Sequence, residues 1–185
     1  MKTNEKILAV ATLLFDSRGI QASGVDTIIA ESGVAKATLY KHYPSKNLLV
    51  IAYLKSKSDK FYEWLNSQLA SKKEDSIEIL ITLCELVEVW ISTPEFHGLP
   101  FHIASVEFPD PDHPINQYSV VLAAELQGYL SKIAKTAGAR DPVALGQQLT
   151  IIFEGAALVD RLSPGTGAAK RAKNAAVALI QSAVK

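Results

Sequence analysis

The sequence predicts an all-α fold of about nine helices. Apolar residues recur at three- and four-residue steps along most of the chain, and strand signals are nearly absent. The 185 residues are 48% hydrophobic and 21% charged, which excludes a disordered chain. Ten glycines and one cysteine exclude collagen-like chains and disulfide scaffolds. We expect three short helices in an N-terminal head and five or six longer helices in a C-terminal body.

The first two helices of the head are predicted from their capping residues. Thr3 or Asn4 is expected to cap a first helix with one apolar stripe, which stops at Gly19. Ser23, followed three residues later by Asp26, is typical of a capping box and indicates the start of a second helix.

A tight turn and a third helix follow. Gly33 suits a left-handed turn at the end of the second helix. The third helix is expected over about 36–43, with Leu39 pointing into the core. Ser45 is the expected cap of a long helix over about 46–71.

The body is predicted from apolar periodicity and from prolines. Three prolines within 108–114 indicate a loop. Asp112 is the expected N-cap of the helix that begins at 114, and Asp141 is the expected N-cap of the helix that begins at 142. The expected segments of the body are 76–92, 98–107 as a short helix or irregular segment, 114–137, 142–162 and 164–185.

The charge is unevenly distributed along the chain. Nineteen basic and nineteen acidic residues give a net charge of zero. The first 60 residues hold nine basic and five acidic side chains, a balance of +4, and the rest therefore carries −4. A basic head on an acidic body is compatible with a nucleic-acid partner, although chance also produces an excess of this size.

The sequence favours a cytoplasmic location without a membrane span. Lys2 and Lys6 precede an apolar run that resembles a signal peptide, but Glu5 interrupts the basic region and no cleavage site follows. No apolar stretch reaches the length of a spanning helix. The single Cys84 fits a reducing compartment, and its apolar neighbours indicate a small core residue.

The head has the pattern of a helix-turn-helix, in which two helices flank a turn containing Gly33. Polar and cationic side chains on the third helix can reach phosphate oxygens and base edges in a major groove. The alternative is a solvated polar helix in an ordinary bundle. The predicted DNA-binding residues are Val25, Lys36, Ala37, Thr38, Tyr40, Lys41, His42 and Lys46.

Residues 15–46 resemble the DNA-binding head of TetR-type repressors. The motifs that carry the resemblance are Gly19, Thr27-Ile28-Ile29-Ala30, Gly33-Val34 and Thr38-Leu39-Tyr40-Lys41-His42-Tyr43-Pro44-Ser45-Lys46. The resemblance implies a homodimer that binds a pseudo-palindromic operator of double-stranded DNA and is released by a small molecule. It also implies a DNA-binding domain over 1–46 and a ligand-binding and dimerisation domain over 47–185.

The body is rich in aromatic residues, which either fill a core or line an apolar pocket. We expect a small apolar or aromatic effector and no cofactor. The predicted ligand-binding residues are Phe61, Trp64, Trp90, Phe101, His102, Tyr118, Phe153 and Glu154.

The last two helices are the predicted dimer interface. The final segment is rich in alanine, and small side chains permit close contact between helices. Together with apolar residues of the preceding helix, it could form a four-helix interface across a two-fold axis. The alternative is packing within one chain, and the two are compatible.

Three other functions remain as alternatives. An activator of the same fold, or a small-molecule-binding protein or enzyme with a vestigial head, fits the same pattern, although no catalytic motif is present and no enzyme is expected. A metal site is the third alternative, because imidazoles and carboxylates are metal ligands, but their spacing is unrecognised. Its candidate ligands are His97, His102, Glu107, Asp110, Asp112 and His113.

Overall fold

The computed structural model describes residues 2–70, 77–94 and 96–184. Within those ranges the chain forms nine α-helices and no strand, which confirms the all-α prediction. The helices are α1 (Thr3–Arg18), α2 (Val25–Ser32), α3 (Lys36–His42), α4 (Lys46–Leu69), α5 (Ile77–Ile91), α6 (Pro100–Glu107), α7 (Pro114–Thr136), α8 (Pro142–Leu162) and α9 (Ala168–Ala183).

The start of α9 differs from the sequence prediction. We expected a helix from residue 164, but it begins at Ala168. Gly165 and Gly167 adopt φ values of +74° and +76°, a left-handed conformation that interrupts a right-handed helix. The Thr166 hydroxyl donates to the carbonyl of Ser163 at 2.9 Å and closes the turn.

Two predicted caps in the head are wrong. α1 is capped at Lys2, whose backbone N–H donates to the carboxylate of Glu5 at 2.9 Å, and not at Thr3 or Asn4. Ser23 does not cap α2, because its side chain is buried and its hydroxyl donates to the carbonyl of Gly19 at 2.7 Å. The second helix begins after Gly24 without a side-chain cap.

The other predicted caps have mixed outcomes. The Ser45 hydroxyl accepts from the Leu48 N–H at 3.2 Å, and Asp141 accepts from the Ala144 N–H at 3.0 Å, so both predictions are confirmed. Asp112 does not cap α7. At the start of that helix, the Ile115 N–H donates to Nδ1 of His113 at 3.2 Å.

The chain divides into two compact units. Unit 1 comprises the residues up to Lys60 together with Pro100–Val120, and unit 2 comprises Phe61–Leu99 and the residues from Val121 onward. Helices α4 and α7 each contribute residues to both units.

The core of unit 1 is built on α1. Its predicted apolar stripe is confirmed, since Ile7, Leu14 and Phe15 are buried. The ring of Phe15 meets the ring of Tyr53 edge to face, with their centroids 5.2 Å apart. This buried aromatic pair packs α1 against α4 and so stabilises the unit that carries the short helices of the head.

The core of unit 2 is formed mainly by α5, α8 and α9. Cys84 on α5 is completely buried, as predicted, and burial raises the pKa of its thiol to about 12. Ala169 and Ala176 on α9 are also buried, and Lys173 of that helix pairs with Glu88 of α5 at 2.5 Å. The buried alanines of α9 therefore pack within the chain, whereas Ala175 and Ala178 of the same helix are exposed.

Among the described helices, α8 alone has the length and apolar composition of a membrane span, a property that core helices of soluble proteins share. Its residues Leu145, Leu149 and Phe153 are buried in unit 2. Burial of this face accounts for part of its hydrophobicity, while Ile151 and Leu158 of the same helix are exposed.

Candidate DNA-binding site

The turn between α2 and α3 has the geometry of a helix-turn-helix. Gly33 adopts φ +63° and ψ +27°, and its N–H donates to the carbonyl of Ile29 at 2.9 Å. An L-residue with a side chain is disfavoured in this conformation, so glycine permits the chain to turn sharply and begin α3 at Lys36.

Helix α3 is anchored at two points. Leu39 is completely buried, as the sequence predicted. At the C-terminal end, the Tyr43 hydroxyl donates to the carbonyl of Asn4 at 3.1 Å, which ties the end of α3 to the start of α1. One buried side chain and one long-range hydrogen bond therefore hold a helix too short to be stable alone.

The anchored helix leaves the predicted DNA-binding residues accessible. Lys36, Ala37, Tyr40, Lys41 and His42 are exposed. The half-buried Thr38 completes the set on α3. Unit 1 therefore presents two lysines, a phenol and an imidazole on one short helix, and these groups can donate to phosphates and to base edges.

The remaining two predicted residues flank α3 from neighbouring helices. Val25 is the first residue of α2, where the backbone N–H groups lack helical acceptors and can bind an anion. Lys46 is the first residue of α4, and its Nζ donates to the carbonyl of Gln21 at 3.3 Å. An ammonium has three donors, so this bond leaves Lys46 able to bind a phosphate as well.

The charges of the site are weakly paired. Lys36 lies 3.3 Å from Asp26 in an exposed ion pair. Because exposed ion pairs contribute little free energy, a DNA phosphate can take the place of the Asp26 carboxylate at little cost in stability. Partial burial lowers the pKa of Lys46, and the negative charge of Glu107 acts in the opposite direction. Sequence reasoning missed this contribution of Glu107, because the two residues are distant in the chain.

Three of the eight predicted ligand-binding residues converge in unit 2. The ring of Phe61 lies 4.6 Å from that of Trp90 and 6.1 Å from that of Trp64, measured between centroids. Trp90 also meets Phe96 at 4.9 Å. We call Phe61, Trp64, Trp90 and Phe96 the aromatic cluster.

The other five predicted ligand-binding residues are divided between the units. Phe153 and Glu154 lie on α8 in unit 2, whereas Phe101, His102 and Tyr118 belong to unit 1. Phe101 and His102 stack edge to face at 4.7 Å.

A cavity of about 680 Å³ adjoins the aromatic cluster in unit 2 through Phe96. At the edge of this cavity, the Arg161 side chain packs against Gly98. A Cβ added to Gly98 would lie 3.0 Å from the Cδ of Arg161. None of the eight predicted ligand-binding residues lines this cavity. Its walls come from the segment after α5, the end of α8 and the glycine-rich turn before α9, and they include Ser92, Thr93, Phe96, His97, Asp160, Arg161 and Gly165.

The candidate metal ligands have other contacts. The ring of His113 stacks on Phe108 at 4.7 Å, and the Glu107 carboxylate binds backbone amides. In the described part of the chain, no three side chains of His, Cys, Asp or Glu converge on a point that a metal could occupy.

A model of the bacterial regulatory proteins of the tetR family matches residues 7–53, the segment that contains α2 and α3 and their turn. This segment is a TetR-type helix-turn-helix. The chain is 28% identical over 116 residues to the HTH-type transcriptional regulator LmrA of Bacillus subtilis, and the match spans 62% of each protein. An uncharacterised HTH-type regulator of the same organism, YxaF, is 27% identical over 106 residues and is matched over 56% of its length.

Solved structures share the whole fold of this chain. A TetR-family transcriptional regulator from Streptomyces coelicolor superposes with a TM-score of 0.89 and 24% identity, covering 99% of this chain and 96% of that one. A putative TetR-type regulator from Streptomyces avermitilis gives a TM-score of 0.75 with 25% identity, over 95% and 98% of the two chains. At these identities the likeness concerns the fold.

Proposed function

We propose that the chain is a TetR-type regulator that represses transcription by binding a pseudo-palindromic operator as a homodimer, and that a small apolar or aromatic molecule releases it. The observation that carries the proposal is the exposed, cationic α3, fixed to unit 1 by the buried Leu39. We assign DNA binding to residues 1–46, and effector binding and dimerisation to residues 47–185. Because the proposed partner is DNA, we also propose a cytoplasmic location.

DNA contacts divide into those that position the protein and those that read sequence. Lys46 and the N-terminus of α2 at Val25 would bind phosphates, and phosphate contacts set the register of the protein on the duplex. Thr38, Tyr40 and His42 would face base edges in the major groove, where hydrogen bonds distinguish the base pairs.

An exposed apolar stripe on α8 supports the homodimer. Ile151, Leu158 and Leu162 are 71%, 55% and 74% exposed and recur at seven and four residues, which places them on one face of the helix. A second copy of the chain would bury this face around a two-fold axis. The same axis would relate two copies of α3, as a pseudo-palindromic operator requires.

The aromatic cluster supports an apolar or aromatic effector, because its member Phe96 also lines the adjoining cavity. The other walls include the charged side chains of Asp160 and Arg161, so the cavity would add polar contacts to the ligand. A volume of several hundred Å³ suits a drug-sized molecule. The ligand would weaken DNA binding only by the difference in its affinity for the two conformations of the dimer.

The test is operator binding by purified protein. The operator is first selected from random-sequence duplexes, and its affinity is then measured for Tyr40→Ala and Lys46→Ala. We expect both variants to bind more weakly while remaining folded dimers. For Lys46→Ala, the slope of log Kd against log salt concentration should also fall by about one unit, because one phosphate contact is lost.

Lys132→Ala is the matched control, because it removes one exposed lysine of α7 in unit 2. Its operator affinity should equal that of the wild type. Unchanged affinity in both head variants would refute the DNA-binding assignment, and failure of the wild type to enrich any duplex would favour a protein with a vestigial head. A reporter assay separates repression from activation.

A further inference from the structure

Glu107, the last residue of α6, binds the turn between α1 and α2 within unit 1. Its Oε1 accepts from the Ile20 N–H at 3.0 Å, and its Oε2 accepts from the Gln21 N–H at 2.6 Å. The Gln21 side chain amide donates in return to the Glu107 carbonyl. One carboxylate thus binds two successive backbone amides, an arrangement of charge-assisted hydrogen bonds.

The turn depends on these bonds. Gly19 ends α1 with φ +90°, and in the described part of the chain neither the Ile20 N–H nor the Gln21 N–H donates to a backbone carbonyl. Ile20 is only 1% exposed, so its N–H would lack a partner without the carboxylate. A Cβ at Gly19 would lie 3.3 Å from Oε1 of Glu107, which shows how closely the carboxylate approaches the backbone.

The same turn holds Lys46. Gln21 is bound to Glu107 through both its backbone N–H and its side chain, and its carbonyl accepts from Nζ of Lys46 at 3.3 Å. A continuous series of hydrogen bonds therefore runs from the end of α6, through one residue of the turn, to the lysine that begins α4. The ammonium is partly buried along this path, which limits the positions it can adopt.

We propose that Glu107 is a positioning residue for DNA binding: it fixes the turn at 19–21 and, through the Gln21 carbonyl, holds the ammonium of Lys46 where it meets the phosphate backbone. This inference rests on the proposed function, in which Lys46 contacts a phosphate. Glu107 itself does not touch the DNA.

Electrostatics alone predicts the opposite effect of removing this carboxylate. Glu107→Gln deletes a negative charge near a DNA-binding surface, which by itself strengthens binding to a polyanion. The amide can still accept from one of the two N–H groups but not from both with equal strength. Weaker binding by a more positive head is therefore specific to the positioning role.

The experiment measures affinity for the selected operator at fixed salt in four proteins: wild type, Glu107→Gln, Lys46→Met and the double variant. We expect Glu107→Gln to bind on the order of tenfold more weakly, as for one lost charge-assisted contact. In the Lys46→Met background the same change should cost less than about twofold, because coupled residues are not additive. Hydrogen exchange of the Ile20 and Gln21 amides should accelerate in Glu107→Gln.

Glu63→Gln is the matched control, since it removes an exposed carboxylate from the unit 2 part of α4 with the same change in net charge. Its operator affinity should stay within about twofold of the wild type. If Glu107→Gln does not fold, Glu107→Asp is measured instead, because it keeps the charge but shortens the side chain, and the same tenfold loss is expected.

Equal or tighter operator binding by the Glu107 variant overturns the proposal, and so does an undiminished loss in the Lys46→Met background. Failure of the wild type to bind any duplex would refute the proposed function instead. The two failures are therefore distinguishable.

Discussion

The Tyr53 hydroxyl donates a hydrogen bond of 2.7 Å to Oδ1 of Asp16. The other oxygen of that carboxylate accepts from Nζ of Lys57 at 2.9 Å. The three residues join α1 to α4 within unit 1, beside the edge-to-face contact of Phe15 with Tyr53. These contacts stabilise the packing of α1 against α4 in the unit that carries the helix-turn-helix.

Tyr53→Phe should lower the free energy of unfolding by about 1–2 kcal/mol, because a partly buried carboxylate loses a hydrogen-bond donor. Urea denaturation followed by circular dichroism measures the change. Tyr43→Phe is the matched control. Its hydroxyl makes an exposed bond to the Asn4 carbonyl, and its loss should cost less. Equal midpoints for Tyr53→Phe and the wild type would contradict the prediction.

Ionisation of the Tyr53 hydroxyl should make the stability of the protein depend on pH in the alkaline range. Burial, followed by the bond to Asp16, raises the pKa of the Tyr53 hydroxyl above its ordinary value of 10.0. The folded state therefore retains a proton that the unfolded state loses, so this contribution to stability is complete below pH 10 and declines above it. Between pH 8 and 11, the wild type should lose more stability than Tyr53→Phe, and parallel losses would contradict this.

Two glycines in neighbouring helices should respond oppositely to alanine. A Cβ on Gly146 of α8 would lie 2.7 Å from the backbone nitrogen of Ser131 in α7, so Gly146→Ala should destabilise by about 1–3 kcal/mol or more. Gly128 in α7 has no atom within 4 Å of its would-be Cβ, and alanine there should stabilise by about 0.5–1 kcal/mol. Thermal unfolding of the two variants measures the contrast, and shifts of the same sign would refute it.

Leu158→Glu should convert the proposed dimer to a monomer, because a charge would be buried in an apolar interface without a partner. Analytical ultracentrifugation measures the mass, and circular dichroism shows whether the monomer is folded. Val89→Glu is the control, since Val89 is similarly exposed, at 59%, but lies on α5. A dimer that survives Leu158→Glu would move the interface away from this face of α8.

Cys84 should be inert to thiol reagents in the folded protein. It is completely buried, and burial raises the pKa of its thiol to about 12, so almost no thiolate is present at pH 8. A chromogenic disulfide reagent should react with about one thiol per chain in denaturant and with none under native conditions. Rapid reaction of the native protein would show that α5 opens.

Features that depend on neighbouring residues could be predicted from the sequence. The apolar stripe of α1, the left-handed Gly33, and the caps at Ser45 and Asp141 all arise from contacts within one or two turns of a helix. The head resembled a known helix-turn-helix for the same reason, since its motif occupies one short contiguous stretch. The start of α9 differs from the predicted residue 164, because Gly165 and Gly167 adopt left-handed conformations that a right-handed helix does not contain.

Features that depend on distant residues were decided by the tertiary structure. Ser23 suited a cap by its local pattern, but its hydroxyl donates to the carbonyls of Gly19 and Leu14 because the chain folds back on α1. Glu107 suggested a metal ligand by its type, yet it binds amides 86 and 87 residues away.

The sequence by itself determined the helical class, the helix-turn-helix and the polar residues that α3 exposes, because periodicity and turn chemistry act over a few residues. Only the tertiary structure decided that Ala169 and Ala176 of α9 pack within the chain, that a cavity lies beside Phe96, and that Glu107 binds the turn whose Gln21 carbonyl accepts from Lys46. Those contacts join segments far apart in the chain, and a carboxylate or a methyl group carries no local signal of the partner it will meet.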